Sequence, residues 1–182
     1  SSTRWCAGPP DRSPDESSAD SCAMVTVLLA PDSFKGSVSA AAACAALAEG
    51  WQAVDPGALI ISRPMADGGE GTLDAFASAT GGARRMPVVV TGPDGRRTDA
   101  AWLLLPPTPE APAGTGVVEL ASTSGLERLG AARLPWDAQT VGFGQAIAAA
   151  LDHGVSRLIL GIGSSASTDG GAGALSALGL RF

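Results

Sequence analysis

The chain has 182 residues, of which 45% are hydrophobic and 16% charged, enough to bury a core of one domain or a little more. No window reaches the roughly 18 consecutive apolar residues of a membrane-spanning helix, and the first 23 residues lack the apolar core of a secretory signal, so a soluble cytoplasmic protein is expected. The formal net charge of -6 would repel a phosphate backbone, which argues against nucleic-acid and anionic-membrane partners and makes any phosphate chemistry local.

Lys35 is the only lysine among the 12 basic residues, and it sits in a short stretch with Asp32, Ser33 and Gly36. Cys6, Cys22 and Cys44 are odd in number and form no C-x-x-C pair, which fits a reduced chain without a disulfide framework or structural zinc. Cys44 lies in an alanine run and reads as a packing residue, since a single histidine leaves it little choice of base. That His153 falls where a helix should end, where a cation favours the dipole.

Residues 1–23 are rich in Ser, Pro and Asp without apolar period and are predicted to be a disordered leader; ordered structure should begin near Met24. From there strand, glycine-bearing loop and helix alternate. Val25 to Ala30 reads as a buried parallel strand ended by Pro31, and the alanine-rich run from Ala40 is a helix capped by Ser37 or Ser39 and stopped after Val54 by Asp55-Pro56-Gly57. Leu59 to Ser62 is a second strand, and Thr72 to Thr80 a short helix closed by Gly81-Gly82. Met86 to Thr91 and Arg97 to Leu105 flank the turn Gly92-Pro93-Asp94-Gly95, so an antiparallel hairpin is predicted. A proline-rich connection leads to a strand over Gly116 to Ala121, a helical turn around Leu126 to Leu129, a helix from about Ala138 to Asp152, a strand over Val155 to Leu160 and a helix from Ala172 to Leu178. The class is α/β: a Rossmann-like segment over residues 24–85 and a second, mixed α/β segment over about 86–182.

Three times an apolar strand runs into a polar, glycine-bearing loop that opens a helix: Pro31 to Ser37, Ala66 to Gly71 and Gly161 to Gly171. If the three strands are parallel in one sheet, the loops share its carboxyl edge, where ligands sit and helix N-termini offer amides to anions. In the first loop, Asp32, Ser33 and Lys35 supply a carboxylate, a hydroxyl and a cation, or serve only as turn formers and a solvated side chain. In the second, Asp67 and Glu70 flank Gly68 and Gly69, suiting a metal or a substrate hydroxyl, although Glu70 in a helix's first turn would also simply complement the dipole.

The third loop opens with Gly161-Ile162-Gly163-Ser164-Ser165-Ala166, which satisfies the G-x-G-x-x-G/A fingerprint of a dinucleotide site. That reading, an NAD-dependent dehydrogenase, starts a helix within the motif and buries Gly170 and Gly171 inside it at a cost of about 1 kcal/mol each relative to alanine. A long loop with its helix starting near Asp169 costs less. Asp169 then caps the helix, or points its carboxylate at a magnesium ion or an attacking hydroxyl, while Ser165, its neighbouring hydroxyls and the loop amides hold phosphate oxygens. No G-x-x-x-x-G-K-[ST] is present, which excludes an ordinary P-loop enzyme.

With these loops in view, the chain resembles the bacterial glycerate kinase family that lacks a P-loop. The resemblance is carried by Leu29 to Ser37, Met65 to Thr72, Val90 to Pro93, Ser124 to Leu126 and Gly161 to Gly173. The family pattern in the last loop is G-I-G-G-S-A-T-N-D-G-G, and this chain departs from it with Ser164 for Gly, Ser167 for Thr and Thr168 for Asn. Ser164 adds a Cβ, which matters if that glycine uses φ > 0. The resemblance implies transfer of the ATP γ-phosphoryl group to a hydroxyl of D-glycerate, the 2-position favoured, with Mg2+, in a cleft between a Rossmann-like domain and a second α/β domain. It implies that Lys35 neutralises phosphate or carboxylate charge, that Asp169 or Asp67 orients or deprotonates the hydroxyl or holds the metal, and that the Gly161 to Gly171 loop cradles phosphate. Family members are much longer, so the chain is expected to be an N-terminal part with cleft walls beyond Phe182. The rival is a non-catalytic ligand-binding fragment.

Overall fold

The computed structural model describes residues 24–131 and 133–182. The expected disorder of the leader, with Cys6 and Cys22, lies outside the described residues.

The first unit is small. β1 (Thr26–Leu29) and β2 (Leu59–Ser62) pair in parallel, Thr26 opposite Leu59, and α1 (Ala40–Val54) makes the crossover between them. α1 starts where its sequence says it should: the Ser39 side chain accepts from Ala42 N, satisfying one of the free amides of the first turn, and alanine supplies propensity behind it. It stops at Asp55, whose Oδ1 accepts from Gly57 N at 3.2 Å to form the turn. Cys44 is buried, its Sγ turned to the Leu29 carbonyl, as a packing residue.

The second unit is a four-stranded mixed sheet in the order β3-β4-β5-β6: β3 (Arg84–Thr91), β4 (Arg97–Leu105), β5 (Thr115–Glu119) and β6 (Arg157–Gly161). β3 and β4 form the predicted hairpin, closed by Gly92 N on Arg96 O at 2.7 Å, with Gly95 at a φ of 79°. β5 runs antiparallel to β4 and parallel to β6, and all five of its residues are buried. Alternation along the central strands sends successive side chains to opposite faces. Trp102 and Val118 join Phe143, Ala146, Ile147 and Ala150 of α4 (Val141–Asp152) on one face. Leu103 and Val117 meet Leu73 of α2 (Thr72–Ala79) on the other.

The three strands feeding the glycine loops therefore do not lie in one sheet, as the sequence pattern suggested: β1 and β2 form one and β6 the edge of another. Two boundaries also move. β5 ends at Glu119, where Leu120–Ser124 turns into a short helix, α3, followed by a 3-10 turn over Leu126–Leu129. α4 begins at Val141 rather than near Ala138, because Gln139 spends its amide on the hairpin, donating to Gly92 O at 2.8 Å and accepting from Val141 N at 2.7 Å. The last helix, α5, spans Ala172–Ala177. His153 ends α4, and its ring meets Trp102 edge-on at 5.5 Å. Among the described residues no helix is long and apolar enough to cross a membrane.

Candidate active site

The glycine loops meet although their strands belong to different sheets. Gly163 N donates to Gly68 O at 2.8 Å, and the backbones approach so closely that side chains are excluded. A Cβ on Gly163 would lie 2.7 Å from both Cα and N of Gly69, and one on Gly161 would lie 2.8 Å from the Gly68 carbonyl oxygen. Real Cβ atoms do not approach that near, so Gly161 and Gly163 admit no side chain at this crossing, while Gly68 is called for by its φ of 93° and not by lack of space. The first loop reaches this junction through one side chain: Lys35 Nζ donates to Ser164 Oγ at 3.0 Å.

Lys35, Asp32, Ser33 and Glu70 line one open cleft of about 670 Å3, together with Asp74 and Arg85, which are ion-paired. Asp32 Oδ1 accepts from Ser33 N at 2.6 Å, which fixes the turn and leaves the exposed carboxylate at the rim. Glu70 precedes α2 and does not lie in its first turn, since that helix begins at Thr72. The neighbouring Glu127 side chain and burial raise its pKa despite the opposing field of Lys35, and Glu70 Oε2 is buried without a hydrogen-bond partner among the described residues. Asp67 is exposed, with Oδ1 accepting from Gly69 N at 2.9 Å. It does not line the cleft and stands beside the glycine junction.

Asp169 is held by hydrogen bonds on both oxygens, and those from Gly171 and Gly173 match the helix-capping alternative. Oδ2 accepts from Thr140 N and Thr140 Oγ1, each at 2.8 Å, and from Gly173 N at 3.1 Å, while Oδ1 accepts from Gly171 N at 3.1 Å. Burial alone would raise its pKa, but these four donors outweigh it and lower the value, fixing a carboxylate. Asp169 thus joins the start of α5 to the start of α4, with three bonds on Oδ2 and a single one on Oδ1.

The rest of the third loop is also accounted for. Gly170 and Gly171 have φ of 61° and 85°, and Gly171 is the N-cap of α5. No helix starts inside the 161–166 fingerprint, so the dinucleotide geometry is absent. Ser165 Oγ bonds to Ser167 Oγ at 2.7 Å, and the loop is pinned to the α3 junction by Ala166 N on Ser124 O and Leu126 N on Ser164 O.

One residue of weight escaped the sequence reading. Glu119, 5% exposed at the end of β5, accepts from Leu73 N at 2.9 Å and so caps α2, whose own N-cap is the side-chain-less Gly71. Burial raises its pKa against the lowering effect of the Leu73 and Gly71 amides. The available signal was an acid ending an otherwise apolar strand, Gly116-Val117-Val118-Glu119.

The model of the glycerate kinase family matches residues 27–182. The chain belongs to the glycerate kinase family. It is 41% identical over 157 residues to the glycerate 2-kinase of Escherichia coli K12 and 45% identical over 157 residues to the glycerate kinase of Bacillus subtilis 168, covering 86% of this chain in each case. A crystal structure described as that of a glycerate kinase 2 from Salmonella typhimurium LT2 superposes with a TM-score of 0.69 at 41% identity, over 85% of this chain and 41% of that one. The chain spans about 40% of the length of the two curated relatives.

Proposed function

We propose that this family member contributes the phosphate-facing loops of an ATP-dependent glycerate kinase, which transfers the γ-phosphoryl group to a hydroxyl of D-glycerate in the cytoplasm. The observation that carries the reading is that Lys35, the sole lysine of an acidic chain, lines the first-loop cleft and reaches the glycine-on-glycine junction through its bond to Ser164. Phosphoryl transfer demands charge stabilisation and alignment more than covalent chemistry, and a cation beside backbone that admits no side chains meets both demands. The ligands are small molecules; a chain of net charge -6 is poorly suited to nucleic acid. The name of the E. coli relative specifies glycerate 2-kinase, and the same hydroxyl is assigned here.

Among the described residues no group of three His, Cys, Asp or Glu side chains could hold a metal by itself. That fits magnesium, which is usually held by one or two carboxylates plus substrate phosphates and its own waters. Asp67, exposed and with only Oδ1 engaged, is the carboxylate suited to it. Bound magnesium would neutralise charge developing on the phosphate oxygens. On this reading Lys35 takes up phosphate or glycerate charge, Asp32 and Ser33 offer hydrogen-bonding groups to the glycerate, and Gly68, Gly69, Gly161 and Gly163 let the second and third loops approach backbone to backbone, their amides free of side chains. Asp67 alternatively orients the attacking hydroxyl, while Asp169, Gly170 and Gly171 hold the loop to its helices.

A second reading is a ligand-binding segment without turnover of its own. Titration calorimetry with Mg-ATP and with D-glycerate, beside a phosphoglycerate assay on the same sample, separates the two. Binding with phosphoglycerate formation supports the kinase, binding alone supports the second reading, and binding of neither ligand by the folded chain contradicts both.

A further inference from the structure

Ser164 is the single non-glycine among the described residues with a positive φ, 56°, and it stands where the resembled family pattern has glycine. A left-handed backbone crowds the Cβ of any residue that carries one, and glycine would hold the same turn without strain. The turn does not need the side chain either. Its backbone is held by Leu126 N on Ser164 O at 2.9 Å and by the neighbouring Gly163 N on Gly68 O. The hydroxyl has one polar partner among the described residues, the ammonium group of Lys35, which donates to it at 3.0 Å across 129 positions of sequence.

We infer that Ser164 is a positioning residue for Lys35: its hydroxyl latches the lysine of the loop after β1 to the loop after β6, joining the two sheets at the glycine junction, and the strained backbone is kept for that contact. The geometry favours one place for the latch. Gly69 lies under the hydroxyl so closely that a Cβ there would sit 3.0 Å from Ser164 Oγ, and the field of Lys35 reaches Glu70 on the opposite loop. A lysine stem carries large rotamer entropy when free; holding it in advance removes that cost from ligand binding. What the held lysine is for rests on the proposed kinase function, whereas the latch itself does not.

Because the chain has one lysine, the latch can be read directly. Selective 13C labelling of lysine gives one set of Cε signals, and acetylation by an N-hydroxysuccinimide ester, followed on the Lys35 peptide by mass spectrometry, gives one side-chain rate. Ser164→Ala removes the hydroxyl and retains the strain; Ser164→Gly removes both and secures a folded variant. Both should increase Cε mobility and speed acetylation about threefold, the scale of one exposed charge-assisted hydrogen bond. Unchanged mobility and rate in both variants overturn the latch, and so does release by Ser164→Gly alone, which would mean that the backbone holds the lysine. Ser164→Ala, in residues 24–182 grafted onto the remainder of the E. coli relative, should raise the KM for ATP about threefold and lower kcat less than Lys35→Ala does. A freed lysine with unaltered kinetics keeps the latch and refutes the phosphate role of Lys35; an unfreed lysine refutes the latch whatever the kinetics show.

Discussion

Asp169→Asn tests whether this carboxylate is an anchor. Its two oxygens accept four hydrogen bonds, three on Oδ2 and one on Oδ1. An asparagine has one oxygen to offer. Turned to the three-donor side, it keeps Thr140 and Gly173 but sets its own NH2 group against Gly171 N–H, and the charge on every remaining bond is lost. One bond to a charged acceptor contributes about 1.5–3 kcal/mol, and partial exposure reduces that, so a net cost of about 2 kcal/mol is expected. At about 3 °C per kcal/mol for a chain of this size, the melting midpoint should fall by about 6 °C at pH 7. The sign with pH follows from the lowered pKa: the contribution is present above the unfolded value of about 3.9 and is lost as pH falls through the depressed folded value. Thermal melts by circular dichroism at pH 7, and stepwise down to strong acid, should therefore show the wild-type advantage shrinking at the acid end. A variant that melts with the wild type at pH 7 would refute the anchoring argument and return Asp169 to the candidates for metal or base.

Glu119 carries the opposite sign. With a folded pKa raised by burial above the ordinary 4.5, its contribution is complete below that value and declines as pH rises through the folded one. Glu119→Gln keeps an acceptor for Leu73 N without the buried charge, so stability measured in urea between pH 4 and 8 should fall less steeply than in the wild type; an identical slope would contradict the assignment. Gly163→Ala places a Cβ 2.7 Å from the Gly69 backbone and should open the loop junction, seen as at least about tenfold faster hydrogen exchange at the residue 163 amide, about 1.4 kcal/mol of lost protection. Unaltered exchange there would show that the loops have room to spare.

What was legible in the sequence was local. Ser39 ahead of an alanine run marks the start of α1, and a Gly-Pro-Asp-Gly turn between a valine-rich and a leucine-rich stretch yields the β3–β4 hairpin, with β4 over Arg97–Leu105 as expected. Sheet membership was not legible, because β1 and β6 are both short apolar runs ending in a glycine-bearing loop and nothing local distinguishes their partners. The site divides the same way. Clustering of polar residues and glycine marked the three loops, and glycine repetition reflects the close backbone approach found at Gly68, Gly69, Gly161 and Gly163. The role of Asp169 depends on Thr140, 29 residues earlier, and that of Glu119 on Leu73, 46 residues earlier. Residue type announced a carboxylate in both cases, but its hydrogen-bond partners decide whether it holds structure or meets a ligand.

Lys35 and the glycine junction are proposed to serve phosphoryl transfer to glycerate. The most direct measurement is ATP- and D-glycerate-dependent phosphoglycerate formation by residues 24–182 grafted in place of the matching segment of the E. coli relative, with and without Lys35→Ala. Turnover by the graft is expected, with at least about a hundredfold loss in the folded Lys35→Ala variant, the scale of removing one charge-stabilising group from a transition state. A folded graft that makes no phosphoglycerate, or a Lys35→Ala variant with undiminished turnover, would contradict that role.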